Sequence, residues 1–491
     1  MDEVIGVART SGKHSLQKDI LSVPNGIALA AAAMAPVLAV VLNAPAAAPQ
    51  AGLALPLSFL VAFIACLFIG NNVVQFSRKL PSAGSFYTFN TYGLGQTAGF
   101  FTGWLFAIGY GILAPGLFDA FGSFLHDYLL STFNSNVPWW VCSLFGLIFV
   151  LGLSLRSIRA SVRVDLTLLT LEVIIFLTLA IIAIVHSGDG NTAKAFIPSS
   201  SPHGTSGVGL GVVFGILSFI GFDAAATLGE ETKNPKKNIP IAVGGALIAV
   251  GVFYVFVMYA LVAGYHLNEA SQMTKFLSDP NPFVTLAHRY TSWLLQPVEL
   301  AAVAGLFSCF LAIHNTTVRV MYSMGRDRVI PSSMGRVHHK WFSPHVAILT
   351  LAVFTVAVGI GTGVWLGPGA TGAYGFTGSI GTVAIVLVYS ASSFAVIRYF
   401  WKLPERSILK HVILPLLGVV AFLYPLWSVA KPGQSWPYSL VFWIVIGWIV
   451  VGIGLFLFFR KSAPERIAAL GTFVNDEQLL DEVEGKDDVP A

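Results

Sequence analysis

Two acidic residues within long apolar stretches are the first candidates for chemistry. Asp223 lies in SFIGFDAAATLGEETKNP (218–235) and Glu172 in LTLLTLEVIIF (166–176), and we interpret them as the two acidic residues of the apolar cores. A charge at membrane depth costs about 3 kcal/mol on insertion scales, so such residues are functional by default. Asp223 could gain and lose a proton near neutral pH, because burial disfavours the carboxylate. The alternative is a structural carboxylate that accepts hydrogen bonds from neighbouring backbone N–H groups.

The composition indicates that membrane-spanning helices carry these residues. Of the 491 residues, 55% are hydrophobic and only 11% are charged, and the mean hydropathy is +0.75. A helix needs roughly 20 apolar residues to cross a hydrocarbon layer, whereas β-barrel strands alternate over about 10. The sequence therefore predicts an all-α integral membrane protein of about twelve transmembrane helices, with apolar runs at 22–43, 54–75, 97–121, 137–155, 164–186, 207–228, 239–264, 297–323, 345–365, 374–397, 411–429 and 438–459.

The positive charges predict the orientation of these helices. With the N-terminus assigned to the cytoplasm, 24 of the 28 Lys and Arg residues fall on the cytoplasmic side. This asymmetry satisfies the positive-inside rule for an even number of spans with both termini cytoplasmic. We therefore expect a multi-pass protein of the cell (cytoplasmic or inner) membrane with an uncleaved first span. Its partners would be membrane lipid and a small molecule, and the net charge of +4 indicates no nucleic acid.

Two of the spans carry signs of interruption. The first contains AAAAMAPVLA (30–39), and the sixth places Gly221 beside Asp223. These positions correspond if the protein consists of two inverted five-helix halves, and paired interruptions are the best sequence pointer to a transporter's binding site. Freed N–H and C=O groups at the half-helix ends could hold a carboxylate and an ammonium group, as in an amino acid. The predicted substrate contacts are Ala33, Met34, Ala35, Pro36, Phe219, Ile220, Gly221 and Phe222.

A simpler reading is that Pro36 only kinks a helix and Gly221 only allows close packing, since Pro and Gly are common in membrane helices. The matched placement of the two favours the binding-site interpretation.

The rest of the chain predicts no soluble catalytic domain. It contains no G-x-x-x-x-G-K-[ST], H-E-x-x-H or G-x-S-x-G motif, so we expect neither an enzyme nor a cofactor or metal. Cys66, Cys142 and Cys309 fall in apolar runs and predict neither a disulfide framework nor a zinc site. The predicted division is a cytoplasmic tail 1–19, a first repeat 20–205, an inverted second repeat 206–398, two further helices 399–461 and an acidic cytoplasmic tail 462–491.

Three segments resemble one known family. They are SFIGFDAAATLGEETKNPKKNIPIAV (218–243), KLPSAGSFYTF (79–89) and HNTTVRVMYSMGRDRVIPSSMGRVH (314–338). They resemble, in order, the sixth-helix signature, the segment between helices two and three, and the end of helix eight of the amino acid–polyamine–organocation (APC) transporters. The resemblance implies the leucine-transporter-like fold, with five plus five inverted helices, discontinuous helices 1 and 6, and two C-terminal helices. The chain departs from the family where many members have Gly-Ser-Gly and it has Met34-Ala35-Pro36.

The resemblance also implies roles for single residues. Gly109, Tyr110 and Ala114 look equivalent to pocket-lining positions, and Phe219 and Phe222 flank the sixth-helix break, where they could stack over a ligand. The alternative for each Phe is a core or lipid-facing position.

Glu172 occupies a place where several proton-coupled relatives have Lys. A protonated Glu172 could replace that cation as a hydrogen-bond donor, or an ionised one could ligate a cation. Thr316 and Thr317 lie near the place where sodium-coupled folds supply ligands. Because Thr in a membrane helix usually bonds its own backbone, we favour proton coupling over sodium coupling.

Other polar residues belong to the predicted cytoplasmic end and to the eighth span. Ion pairs between Glu230 or Glu231 and Arg319 or Arg326 could close an inner gate, and the alternative is a set of solvated interface charges. For His314 we predict a hydrogen-bonded structural role rather than a proton relay.

The expected function is secondary active transport of an amino acid, neutral rather than charged, by alternating access and with proton coupling. A polyamine or cationic amine importer, an amino acid exchanger and, in another class, an ion channel are the alternatives. A channel would need a continuous polar path or rings of charge, which the sequence lacks. The oligomeric state stays open.

Overall fold

The protein is a bundle of long apolar helices. The computed structural model describes residues 19–156, 158–279, 281–430, 436–468 and 470. The helices of the first half are α1 (Val23–Met34), α2 (Pro36–Leu38), α3 (Ala44–Ala51), α4 (Leu55–Ser77), α5 (Phe86–Leu94), α6 (Gln96–Gly111), α7 (Leu113–Phe133), α8 (Trp139–Arg156) and α9 (Ile158–His186).

The second half continues the same architecture. Its helices are α10 (Gly204–Phe219), α11 (Pro235–Gly264), α12 (Ala270–Ser278), α13 (Pro282–Tyr290), α14 (Leu295–Arg326), α15 (His345–Leu366), α16 (Gly375–Trp401), α17 (Leu414–Ala430), α18 (Val441–Ser462) and α19 (Pro464–Ala468). Within the described ranges there is no strand, and Leu21 and Thr232 form an isolated parallel β-bridge.

The length and apolar character of the helices confirm the predicted fold class. In the described part of the chain, 10 helical segments are long and apolar enough to cross a membrane. The first, Val23–Ser77, spans 55 residues and contains two of the predicted runs, and the shorter apolar helix Leu409–Tyr424 overlaps the run predicted at 411–429. The predicted domain boundaries at 205 and 398 fall just inside the start of α10 and the end of α16, and the division into two repeats stays a prediction.

The first span is interrupted where its sequence predicts. α1 ends at Met34, and Ala35 takes the left-handed conformation, with φ 49° and ψ 73°. The ring of Pro36 disfavours the helical conformation of the residue before it, so the break falls at Ala35. A left-handed alanine costs about 1–2 kcal/mol, which the surrounding structure must offset. Pro36 then begins α2.

The sixth span is interrupted as well. α10 ends at Phe219, Ile220 is extended, and Gly221 has φ 116° before a 3-10 helix over Phe222–Leu228. Only glycine adopts such a φ without strain, so this residue determines where the span breaks.

The two breaks lie in the centre of the bundle. Residues 28–44 and 218–229 are buried without exception. α1 packs against α9, α11, α14 and the 3-10 helix that follows Gly221, while α11 packs along α4. Packing on every side therefore keeps the freed backbone groups of both breaks away from lipid.

Candidate functional site

The two interruptions touch each other. A Cβ atom on Gly221 would lie 2.6 Å from the carbonyl carbon of Ala33 and 2.7 Å from its oxygen. The backbones of the two broken spans can approach this closely only because residue 221 has no side chain.

Tyr254 of α11 connects the same two breaks. Its buried hydroxyl lies 2.6 Å from the carbonyl oxygen of Met34 and 2.9 Å from that of Ser218. A hydroxyl has one hydrogen to donate, so the two carbonyls compete for it. The Tyr254 ring packs edge-on against Phe219, with ring centroids 5.0 Å apart.

A cavity lies where the breaks meet. Its volume is about 30 Å³, room for one or two water molecules in this closed conformation, and its predicted lining residues Ala33, Met34, Ala35 and Ile220 are buried. The remaining lining residues were not predicted; they are Leu38, Leu113, Leu117, Leu217, Ser218, Cys309, Ile313 and Tyr374. The wall is therefore mainly aliphatic, and no charged side chain of the described residues lines it.

The other predicted substrate contacts surround this cavity without lining it. Phe219 stacks on Phe63 with centroids 5.9 Å apart, and Phe222 packs on Tyr389 at 5.2 Å. Gly109 faces α16, since a Cβ there would meet Ile385 at 2.7 Å. Tyr110 faces Asp223, as described next. Pro36, Ala114 and Gly221 likewise lie outside the lining set.

Asp223 is held by two tyrosines. The hydroxyls of Tyr110 and Tyr389 donate to its Oδ1 atom at 2.7 and 2.6 Å. The carboxyl group is fully buried, and Oδ2 has no hydrogen-bond partner among the described residues. The sequence predicted Asp223 and Tyr110 separately, but Tyr389 lies 166 positions away and was missed.

Glu172 reaches the same region from α9. It is buried, and its Oε2 atom has no hydrogen-bond partner in the described part of the chain. A Cβ on Gly305 of α14 would collide with this oxygen and would lie 2.9 Å from Val37 Cβ. Glu172 therefore lies between α9 and α14, next to the segment that follows the first break.

The interpretation of Asp223 and Glu172 as the two acidic residues of the apolar cores is wrong. Asp119 and Asp165 are also fully buried. Asp165 accepts a hydrogen bond from Ser308 at 3.1 Å, and Asp119 accepts one from Thr362 at 3.1 Å. Both acids lie near the ends of their apolar runs, where sequence suggests an interface, but α7 and α9 extend beyond those ends and bury them.

The polar residues of the eighth span behave differently from the expectation of an ion site. Thr316 and Thr317 donate to the carbonyls of Ala312 and Ile313, each at 2.8 Å, so both bond their own helix. His314 is buried, and neither ring nitrogen has a partner among the described residues. The prediction of a hydrogen-bonded histidine is therefore wrong.

The residues predicted for the inner gate form two ion pairs, which we call the inner ion pairs. Arg319 donates from Nε and Nη2 to Glu231 Oε2 at 3.0 and 2.8 Å. Arg326 binds Glu230 in a two-point arrangement at 3.1 and 2.5 Å. The side chains of the first pair are 4% and 2% exposed, and those of the second are 17% and 15% exposed. These charges are thus paired and largely buried, which excludes the alternative of solvated charges.

The chain before α1 closes over the first of these pairs. The N–H groups of Ile20 and Leu21 donate to the carbonyl of Glu231 at 3.0 and 3.1 Å, and Lys233 N–H donates back to Leu21 at 3.0 Å. Arg159 of α9 donates to the Ile20 carbonyl at 3.0 Å. These hydrogen bonds connect the chain before α1 to α9 and to the segment that carries Glu231.

The sequence of the chain is similar to the sequences of known transporters. The family model described as "Amino acid permease" matches residues 28–467. The chain is 26% identical over 441 residues to the methylthioribose transporter of Bacillus subtilis, covering 86% of this chain and 89% of that protein. It is 26% identical over 473 residues to the branched-chain amino acid permease BcaP of the same organism, covering 93% and 96%.

Two further matches are a transporter of Escherichia coli and a solved structure. The low-affinity putrescine importer PlaP of Escherichia coli is 25% identical over 313 residues, which cover 61% of this chain and 66% of that protein. The crystal structure of a manganese transporter from Eremococcus coleocola superposes with a TM-score of 0.58 at 13% identity, covering 94% of this chain and 99% of that one. This likeness shows a common fold. The matched proteins are transporters rather than enzymes, as the sequence predicts.

Proposed function

Because the chain belongs to the amino acid permease family, we propose that it is a secondary active transporter that carries a neutral amino acid by alternating access, coupled to protons. The observation that carries the proposal is the cavity at the junction of the two broken spans. Broken helix ends offer backbone groups to both the carboxylate and the ammonium of an amino acid.

The lining of the cavity supports an uncharged, aliphatic substrate side chain. Leu38, Leu113, Leu117 and Ile313 contribute to its wall. A charged substrate side chain would lose its hydration there without gaining a partner. The relatives named branched-chain amino acid permeases agree with this choice. A putrescine-like diamine is disfavoured because Asp223 is engaged by two tyrosines and does not line the cavity.

Proton coupling is supported by the buried carboxyl groups near the breaks. Asp223 and Glu172 each have one oxygen that lacks a hydrogen-bond partner among the described residues, and binding a proton would remove the uncompensated buried charge. Glu172 lies against the segment after the first break. A change in the protonation state of Glu172 would therefore alter the contacts of that segment. Sodium coupling is less favoured because Thr316 and Thr317 donate to their own helix.

We propose that the inner ion pairs close the end of the bundle that is predicted to be cytoplasmic. When they form, as in this structure, the cavity is closed toward the side predicted to be cytoplasmic. Substrate release then requires Arg319 to separate from Glu231 and the chain before α1 to leave the Glu231 carbonyl.

Reconstitution tests the proposal. The purified protein in liposomes should take up radiolabelled leucine saturably when an inward proton gradient is imposed, with or without sodium. Unlabelled isoleucine and valine should compete, and putrescine and arginine should not. Uptake that saturates only with putrescine, or that follows a sodium gradient, would contradict the substrate or the coupling ion. Unsaturable flux would contradict transport by alternating access.

A further inference from the structure

A second pocket lies far from the transport cavity, at the ends of α16 and α17 on the side predicted to be cytoplasmic. It is a small surface depression of about 10 Å³, and its wall includes Ile397, Trp401, Arg406, Ile408, His411 and Val412. The transport mechanism uses none of these residues.

The surface around this pocket is strongly basic. Arg398, Lys402, Arg406 and Lys410 follow one another at intervals of four residues and are all exposed. The nearby acid, Glu405, is bound to Lys79 at 2.8 Å and does not neutralise them. The pocket therefore has an excess of positive charge.

Aromatic and aliphatic groups place the pocket at the membrane surface. Trp401 is 58% exposed and Ile408 is 68% exposed. Exposed tryptophan at the end of a spanning helix is typical of the interface between lipid and water. The Arg406 guanidinium lies 5.1 Å above the Trp401 ring, which holds it at the mouth of the pocket.

His411 forms a fixed, uncharged floor. Its Nδ1 accepts from the Ser407 N–H at 2.9 Å, and its Nε2 lies 3.3 Å from Gln75 Oε1, to which it can donate. Both nitrogens are thus engaged, and the ring stacks on Phe400 at 4.0 Å. The positive charge available to a ligand comes from Arg406 and the neighbouring lysines.

We propose that this pocket binds an anionic glycerophospholipid, with the headgroup phosphate on Arg406 and one acyl chain along Ile408 and Val412. Arginine presents a planar pair of donors that matches phosphate oxygens, and basic pockets between spanning helices on the cytoplasmic side recognise anionic headgroups. The exposed Ile408 provides an apolar surface that a soluble phosphate would leave uncovered.

Binding can be measured on the full-length protein by native mass spectrometry with added phosphatidylglycerol. Arg406→Gln should weaken binding by about fivefold, which is what one basic residue near an anionic surface contributes. Arg460→Gln, an exposed arginine at the end of α18 on the same predicted side, is the matched control and should bind normally. Phosphatidylcholine should bind weakly to all three proteins.

Two further measurements distinguish binding of the whole lipid from binding of its headgroup alone. Ile408→Ser should weaken phosphatidylglycerol binding although it leaves the basic residues in place, and glycerol phosphate alone should bind far more weakly than the lipid. Equal binding by Arg406→Gln and the unmodified protein, or equal losses in Arg460→Gln, would overturn the proposal. So would glycerol phosphate binding as tightly as phosphatidylglycerol.

Discussion

The inner ion pairs and the carboxyl groups beside the breaks are both buried, yet they are satisfied in opposite ways. Glu231 has an arginine as partner and receives two hydrogen bonds from it, whereas Glu172 and Asp223 each retain an oxygen with no hydrogen-bond partner in the part of the chain that the structure describes. A buried charge with a matched partner is stable as long as the partner stays. A buried carboxyl group without one is suited to exchange a proton. The first arrangement fixes a conformation, and the second can respond to a gradient.

Breaking the buried ion pair should have the largest effect on stability. Arg319→Ala leaves Glu231 charged and buried, so the free energy of unfolding should fall by about 3–5 kcal/mol. Lys79→Ala removes the partner of Glu405 in an exposed pair and should cost about 0–1 kcal/mol. Thermal unfolding in detergent measures both.

A double variant tests whether the charge itself is responsible. Glu231→Ala combined with Arg319→Ala should recover part of the lost stability, since no unpaired charge remains. A double variant as unstable as Arg319→Ala would show that the loss comes from packing.

Neutralising a carboxyl group beside the breaks should change the stability little and the transport strongly. Glu172→Gln keeps the shape of the protonated side chain, so stability should change by less than about 1 kcal/mol. Leucine uptake should lose its dependence on the imposed proton gradient, while exchange of internal for external leucine should persist. Uptake at several external pH values measures the effect.

Asp119→Asn is the matched control for that experiment. Asp119 is an equally buried acid with one oxygen that lacks a partner among the described residues, but it binds Thr362 of α15, whereas Glu172 lies beside the segment that follows the first break. Its substitution should leave the pH dependence unchanged. If Glu172→Gln retains the normal gradient response, Glu172 is not the coupling residue.

The smallest expected effect concerns the partners of Asp223. Tyr389→Phe removes one of the two donors to Oδ1 and should lower the free energy of unfolding by about 1 kcal/mol. Leucine uptake under the imposed proton gradient should fall, because the carboxyl group loses one of the two hydrogen bonds that hold it in place. Tyr259→Phe, whose ring packs on Phe196 at the edge of the bundle, should change neither quantity. Unchanged stability and uptake in Tyr389→Phe would contradict a role for this hydrogen bond.

The sequence predicts the broken spans because their causes are local. Pro36 restricts Ala35, and Gly221 permits a φ of 116°. The orientation is predicted from the alternation of loops that are rich and poor in Lys and Arg, and this alternation likewise depends only on the order of residues along the chain. The fold class followed from such local signals and from the resemblance of three segments to one family.

Contacts between residues that are distant in the sequence could not be predicted in this way. Nothing in the sequence near Asp223 points to Tyr389, and nothing near Glu231 selects Arg319 rather than Arg326. One third of the cavity lining was predicted, since Ala33 and Ile220 belong to the breaks but Leu113 and Ile313 come from packed neighbours. The roles of the site residues and the coupling ion are predictions that the experiments above address.

Cys309 offers the most direct test of the claim that substrate binds where the broken spans meet. It lines the cavity, and its Sγ atom lies 3.8 Å from the Ala33 carbonyl. In a protein carrying Cys66→Ala and Cys142→Ala, leucine should slow alkylation of Cys309 by a small thiol reagent, with half-maximal protection at the leucine concentration that half-saturates uptake. Alkylation at the same rate with and without saturating leucine, in protein that transports leucine, would contradict this location.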